Sequence, residues 1–293
     1  MPETAFRRSF VLEATAGDGR SWKLEPGDRT LVMGVLNLTP DSFFDGGRYL
    51  DPARAEARAW EMAATGADII DIGGESTRPG SAEVSPAEQL RRVLPVLERA
   101  AGALGVPVSI DTSSAQVARE AWAAGAWMIN DVTALSGDPG MAELAAETSA
   151  PVVLMHMRGC PATMQEKPTY ADVVSEVAGY LKNRAEFALT SGVGKDKIII
   201  DPGIGFGKTV EHNLLLLSGI PDLAKLGYPV LVGPSRKSFL GKITGRPAGE
   251  RLWGTAGAAA AAVMGGAHII RVHDPEPIRD VVAVMDALAE ARG

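Results

Sequence analysis

Eight short apolar runs punctuate the chain, and each closes on a polar or glycine-rich cluster: Asn37, Gly73-Gly74-Glu75, Asp111-Thr112, Asn130-Asp131, His156, Asp201-Pro202-Gly203, Ser235-Arg236-Lys237 and Arg271-Val272-His273. The runs predict strands at about 31–36, 68–73, 107–110, 126–129, 151–155, 197–200, 229–233 and 268–272. Most intervals leave room for one helix. Helical spacing puts Ala55, Ala59 and Met62 on one face of a segment over 53–64, and Val173, Val177, Tyr180, Leu181 and Phe187 on one face over 173–189. Ser85-Pro86 and Asp138-Pro139 read as an N-cap followed by proline at the first helical position. Strands alternating with helices make the expected fold class α/β, a single (β/α)8 barrel of the TIM type over 31–293. In such a barrel the polar strand ends converge on one rim and form one candidate site.

Residues 1–30 alternate loosely (Phe10, Leu12, then Trp22, Leu24) around Gly17-Asp18-Gly19, which predicts an N-terminal β-hairpin extension plugging the lower end. Three connections are long and rich in breakers: 39–52, 75–85 and 157–169. All three follow strands, so they belong to the functional rim, and loops of that length act as lids or binding loops. The glycines at 46, 47 and 80 lead us to expect mobility in the first two before ligand arrives.

The chain has 293 residues, 46% of them apolar, enough for one large core, and no Pro/Ser-rich linker divides it. A net charge of -7 argues against nucleic acid or an anionic membrane as partner, so an anionic substrate needs local positive charge. The single cysteine, Cys160, allows no internal disulfide framework and offers no metal-ligand spacing. Arg7 and Arg8 precede no apolar leader, and the apolar stretch 256–270 is rich in Ala and Gly and short of a membrane span. A cytoplasmic setting is therefore expected. The stretch reads as a small-residue helix running into a strand.

The motifs at the strand ends add a resemblance. LNLTPDSFFDGG at 36–47, IGGESTRPG at 72–80, SIDT at 109–112, NDV at 130–132, LMHMRG at 154–159, DPGIGFGK at 201–208, SRKSFLG at 235–241 and RVHD at 271–274 resemble, in order, the signatures of the dihydropteroate synthase family. The resemblance covers the chain from residue 31 to the end. It implies joining of 6-hydroxymethyl-7,8-dihydropterin diphosphate to 4-aminobenzoate, with release of diphosphate, in folate biosynthesis. Leu38, Phe44 and Pro275 depart from the commoner family pattern.

Carried over residue by residue, the resemblance gives the pterin edge to Asp111, Asn130, Asp201 and Lys237, with Arg271 on the ring face. The diphosphate falls to Thr77, Arg78, Arg271 and His273, and Asn37 is the implied Mg2+ contact. Thr77, Pro79, Phe206 and Ser235 are implied to receive 4-aminobenzoate, whose carboxylate would also meet backbone amides if a helix begins near Arg236. No nucleophile with a base is recognisable, which suits an SN1-like substitution in which diphosphate leaves first. Asp111, Lys237, Arg271 and Asp45 are the expected catalytic groups, acting by electrostatics. A homodimer is expected from the family and from the Ala/Gly-rich helix at 255–265.

Plainer readings stand beside these. Asp201-Pro202-Gly203 makes a turn in any case, Asp131 could brace the rim, and His273 could simply bond Asp274. His212 and His268 read as structural, while His156 sits at the rim with no role attached. Rival functions are a pterin-dependent methyltransferase, an aldolase using Lys237 as a Schiff base with Arg236 lowering its pKa, and a non-catalytic pterin binder.

Overall fold

The computed structural model describes residues 8–39, 51–76, 81, 83–159, 163–166 and 168–291. An antiparallel pair, β1 (Leu12–Thr15) and β2 (Ser21–Leu24), precedes eight parallel strands: β3 (Leu31–Asn37), β4 (Ile69–Gly73), β5 (Val108–Asp111), β6 (Met128–Asp131), β7 (Val152–Met155), β8 (Ile198–Asp201), β9 (Leu231–Val232) and β10 (Ile269–Val272). Their order, β8-β7-β6-β5-β4-β3-β10-β9, is closed by a bridge between Ile200 and Val230. The principal helices between them are α1 (Pro52–Ala64), α2 (Pro86–Ala100), α3 (Ala115–Ala123), α4 (Gly140–Thr148), α5 (Val173–Thr190), α6 (Val210–Ser218), α7 (Ile220–Ala224), α8 (Ser238–Thr244), α9 (Leu252–Met264) and α10 (Pro275–Glu290). The barrel and its hairpin are thus as the apolar runs predict. The fourth barrel strand lies two residues later than expected, so Asn130 and Asp131 end it rather than follow it.

Side chains alternate between the two faces of each strand. One parity, including Val32, Ile70, Ile110, Ile129, Leu154, Ile200 and Ile270, packs against the helices. The other points inward, where Leu31, Met33, Ile69, Met128, Val153, Ile199, Leu231 and Ile269 fill the lower barrel. The hairpin caps this floor: Leu12 is fully buried against it, Ala14, Trp22 and Leu24 pack on it, and Trp127 Nε1 donates to Ala14 O at 3.0 Å. Continuing the inward parity up each strand reaches Asn37, Asp71, Asp111, Asn130, Asp201 and Arg271. A dry floor and a polar mouth therefore follow from one periodicity.

One helix cap agrees with the sequence and one does not. Ser85 accepts from Glu88 N with Pro86 opening α2, as expected, whereas α4 has Pro139 itself as its N-cap with no side-chain cap bond, and Asp138 Oδ1 accepts from Gly140 N at 2.9 Å in a turn just before the helix. The buried stripe of α1 is Ala55, Ala59 and Met62, as expected. In α5 one expectation fails: Phe187 is exposed, because Ala185 and Ala188 continue the stripe set by Val173, Val177 and Leu181. The Phe187 ring instead carries the Arg184 guanidinium, 4.2 Å from its centroid. Among the described residues no helix is long and apolar enough to cross a membrane.

Candidate functional site

Two adjoining cavities open at the carboxyl ends of the strands. The larger, about 610 Å3, is lined by Asn37, Phe206, Ser235, Lys237, Arg271 and His273 among others. The smaller, about 20 Å3, lies deeper between Asn130, Asp201, Lys237 and Arg271, with Val132, Met155 and Ile204 supplying apolar surface. Phe206, Lys237 and Arg271 border both. The ammonium of Lys237 sits 3.9 Å from the centroid of the Phe206 ring, a cation–π contact.

Charge is concentrated at the deeper cavity. Arg271 donates from Nε to Asp71 Oδ2 and from Nη2 to Asp111 Oδ2, both at 2.6 Å, and Asn130 Nδ2 reaches the same Asp71 oxygen at 3.0 Å. One guanidinium thus serves two buried carboxylates. Burial, with Asp71 and Asp131 nearby, pushes the Asp111 carboxyl well above the usual range despite its bond to Arg271. The same carboxylates hold the Arg271 guanidinium firmly charged although burial opposes it. Asp201 is pushed up to about 6 by burial, against the pull of the Gly203 amide and Lys237. Its Oδ1 accepts from Gly203 N at 2.7 Å, so the turn reading of Asp-Pro-Gly and the site reading both hold.

Asp71 is absent from the residues expected at the site. Its one sequence signal is an acid interrupting the apolar strand Ile69–Gly73 at an inward position, and its Oδ1 is buried without a hydrogen-bond partner among the described residues. Lys208 is the other addition. It is 3% exposed, its Nζ meets His156 Nδ1 at 3.0 Å, Phe206 O at 2.9 Å and His156 O at 3.3 Å, and burial lowers its pKa to about 7. His156, lowered to about 3 by burial and this lysine, stands one residue past inward-facing Met155, and its ring meets the Tyr180 ring edge-on with centroids 4.9 Å apart. Lys208 and His156 bolt the 201–208 loop to the end of β7.

Asp131, on the outward parity, braces the rim as its plainer reading has it: Oδ1 accepts from Thr133 N and Oγ1 at 2.8 and 2.7 Å, and Oδ2 from Leu135 N at 2.8 Å. His212 caps α6, and His268 is buried with Nδ1 accepting from Val230 N at 3.0 Å, both structural. His273 differs from its plainer reading. It faces Ser235 rather than Asp274: Nδ1 and Ser235 Oγ are 2.9 Å apart, and Asp274 is bound bidentately by Arg236 at 2.5 and 3.1 Å. That pairing also occupies the guanidinium expected to act on Lys237. The helix anticipated near Arg236 begins at Ser238, and Arg236 itself takes a left-handed backbone with φ 57°.

The structure therefore brings together Asn37, Asp111, Asn130, Asp201, Phe206, Ser235, Lys237, Arg271 and His273 at one mouth. Asp45, Thr77, Arg78 and Pro79, expected on the first two loops, lie outside the described residues. The base of the second loop is described. Glu75 accepts from Val84 N at 2.9 Å and from Gln89 Nε2 at 3.1 Å, which closes its two ends together, and burial raises the Glu75 carboxyl. The described residues contain no cluster of three or more His, Cys, Asp or Glu able to hold a metal ion.

Comparison with known proteins is consistent with this geometry. The pterin-binding enzyme family model matches residues 33–273. The dihydropteroate synthase of Synechocystis is 48% identical over 263 residues, covering 89% of this chain and 91% of the relative. A solved Yersinia pestis dihydropteroate synthase in complex with a sulfonamide drug superposes with a TM-score of 0.90 at 43% identity, over 95% of this chain and 100% of that one. A Xanthomonas albilineans dihydropteroate synthase with 4-aminobenzoic acid gives 0.87 at 44% identity, over 96% and 98%.

Proposed function

Since this chain belongs to the pterin-binding enzyme family, as one of its dihydropteroate synthases, we propose an assignment of the reaction to the residues of its rim. The reaction condenses 6-hydroxymethyl-7,8-dihydropterin diphosphate with 4-aminobenzoate and gives 7,8-dihydropteroate and diphosphate. The observation that carries the assignment is the deep cavity, where acceptors (Asp201, Asn130) and a donor (Lys237) line a slot with apolar faces. A flat heterocycle needs that combination: carboxylate oxygens accept from its N–H groups, and an ammonium donates to its carbonyl. Arg271 lies on the ring face, held by Asp71 and Asp111.

The larger cavity takes the two remaining parts. Arg271 and His273, with Thr77 and Arg78 of the second loop, hold the diphosphate. 4-Aminobenzoate stands against Phe206, beside the wall at Ser235, with Thr77 and Pro79 closing over it. Mg2+ fits this chemistry: the Asn37 carboxamide borders the cavity, and magnesium keeps most of its shell as water and phosphate oxygens, so one neutral protein oxygen is enough. Bound there, the ion would offset charge on the leaving group.

The substitution is SN1-like. The methylene C–O bond breaks and its electron pair leaves with the diphosphate, while ring nitrogens delocalise the cation. Asp111, with Asp45 of the first loop, stabilises that cation, Lys237 holds the ring carbonyl, and Arg271, with Arg78 and His273, balances the developing anion. The amine of 4-aminobenzoate then attacks and releases its proton to solvent.

A homodimer completes the proposal. Trp253 is 83% exposed on α9, with Gly257 and Ala261 on the same outward face and exposed Val284 and Leu288 on neighbouring α10. Trp253→Glu should then shift the sedimentation coefficient to that of a monomer. The lone Cys160 suits a reducing, cytoplasmic setting, and fractionation of cells tests it.

The test of the reaction assignment is diphosphate release on mixing both substrates, with and without Mg2+. Lys237→Ala should weaken binding of a pterin lacking diphosphate by roughly 1.5–3 kcal/mol. Retained native affinity would remove Lys237 from the pterin slot. Sulfonamides should compete with 4-aminobenzoate in the same assay.

A further inference from the structure

Resting on the reading of His273 as a diphosphate ligand, we infer that Ser235 is a positioning residue for that histidine rather than a ligand of 4-aminobenzoate. The serine is 5% exposed and sits in the turn after β9, while His273 follows β10, so neighbouring strand ends bring them together. Its Oγ touches His273 twice, 2.9 Å from Nδ1 and 3.2 Å from the backbone N. One atom therefore fixes the ring relative to its own backbone.

The hydrogen-bond inventory sets the direction. A hydroxyl has one proton and two lone pairs. The backbone N–H of His273 takes one lone pair; either the second lone pair or the hydroxyl proton can meet Nδ1, and only the latter gives that proton an acceptor among the described residues, so Nδ1 is assigned as the acceptor. With Nδ1 accepting, the proton of a neutral imidazole stays on Nε2, at the opposite side of the ring. His273 borders the larger cavity, and phosphate oxygens only accept, so this tautomer is the one that can donate to the diphosphate. The opposite tautomer would present a lone pair to an anion.

Among the described residues, three charged side chains close to the histidine leave Nδ1 to the serine. Arg58 Nη2 donates to His273 O at 2.9 Å, Asp274 is bound by Arg236, and Arg271 is held by Asp71 and Asp111. It is the Ser235 hydroxyl that meets Nδ1. A serine committed in this way has no proton left for a benzoate carboxylate.

Steady-state kinetics with both substrates, together with binding of 6-hydroxymethylpterin, which lacks the diphosphate, separates the roles. Ser235→Ala should raise KM for the diphosphate substrate about tenfold. It should leave KM for 4-aminobenzoate and the affinity for 6-hydroxymethylpterin within about twofold. Ser235→Thr, which keeps the hydroxyl, should restore the value. Imidazole 15N shifts, assigned by their loss in His273→Gln, should report the Nε2–H form in the native protein and a mixture in Ser235→Ala. A rise confined to KM for 4-aminobenzoate, or an unchanged tautomer in Ser235→Ala, would overturn the inference. If His273→Gln leaves the diphosphate substrate untouched while the tautomer still follows Ser235, the assignment of His273 fails instead.

Discussion

Asp201 uses one carboxylate oxygen on the Gly203 amide and is itself buried, with the rest of its hydrogen-bonding capacity at the deeper cavity. With its pKa raised to about 6, it carries a proton at mildly acid pH, and a protonated carboxyl cannot accept from a pair of N–H groups. Affinity for 6-hydroxymethylpterin should therefore climb about tenfold per pH unit below 6 and level off above it. Calorimetry from pH 5 to about 8 measures this, and Asp201→Asn should give weaker, pH-independent binding. The linked stability has the opposite sign: the folded form holds its proton more tightly than the unfolded one, so stability from this group falls as pH rises from about 4 to 6. Asp71 makes a sharper case. It never touches the larger cavity, yet it orients both Arg271 and Asn130. Asp71→Asn should cut kcat/KM on the order of 100-fold by misplacing those two groups. Normal kinetics in that variant would show that Asp111 alone can hold Arg271.

The loop from Asp201 to Lys208 shows how an element fixes a site. Gly203 (φ 67°) and Gly207 (φ 61°) take left-handed backbone, and a Cβ at either would collide with a carbonyl oxygen, His156 O or Arg158 O respectively. The glycines let the loop lie directly on the end of β7, where Lys208 and the Tyr170 hydroxyl (2.9 Å to Gly207 O) bind it. Gly203→Ala should lose about 1–2 kcal/mol from backbone conformation alone, before the collision. Because the displaced loop carries Phe206, KM for 4-aminobenzoate should rise with it. Chemical denaturation and initial rates check both halves, and a stable variant with native KM would contradict the close contact. Much of this element was legible, since a glycine-rich run after an apolar strand signals a backbone-built loop. The Lys208–His156 bond was not, because its partners stand in two different motifs 52 residues apart and nothing in either motif points to the other. Asp71 was hidden for a related reason: one acid in an apolar strand reads as an interruption until the inward parity of its neighbours is known. Ser235 with His273 likewise needed adjacent strand ends, whereas the motifs at 201–208 and 235–241 declared their own loops.

At the scale of the whole molecule, the two ends of the barrel do separate work. The hairpin, Leu12 and Trp127 seal an apolar floor, and the ionisable groups gather at the other end of the same inward-facing columns. A defect in the floor should therefore reach stability without reaching chemistry. Leu12 is fully buried among Leu31, Ile69, Trp127 and Ile269, so Leu12→Ala opens a cavity in a rigidly packed layer. It should cost about 2–5 kcal/mol, the range for leucine truncation in a core that relaxes only partly. Urea unfolding gives that figure directly. At temperatures well below the shifted melting point, kcat and both KM values should stay native, because among the described residues the side-chain hydrogen bonds that join Asp71, Asp111, Asn130 and Arg271 run between one another rather than to the floor. If the variant instead loses turnover while fully folded, strain is passing up the barrel through Met33 and Met128, and the floor is part of the catalytic apparatus.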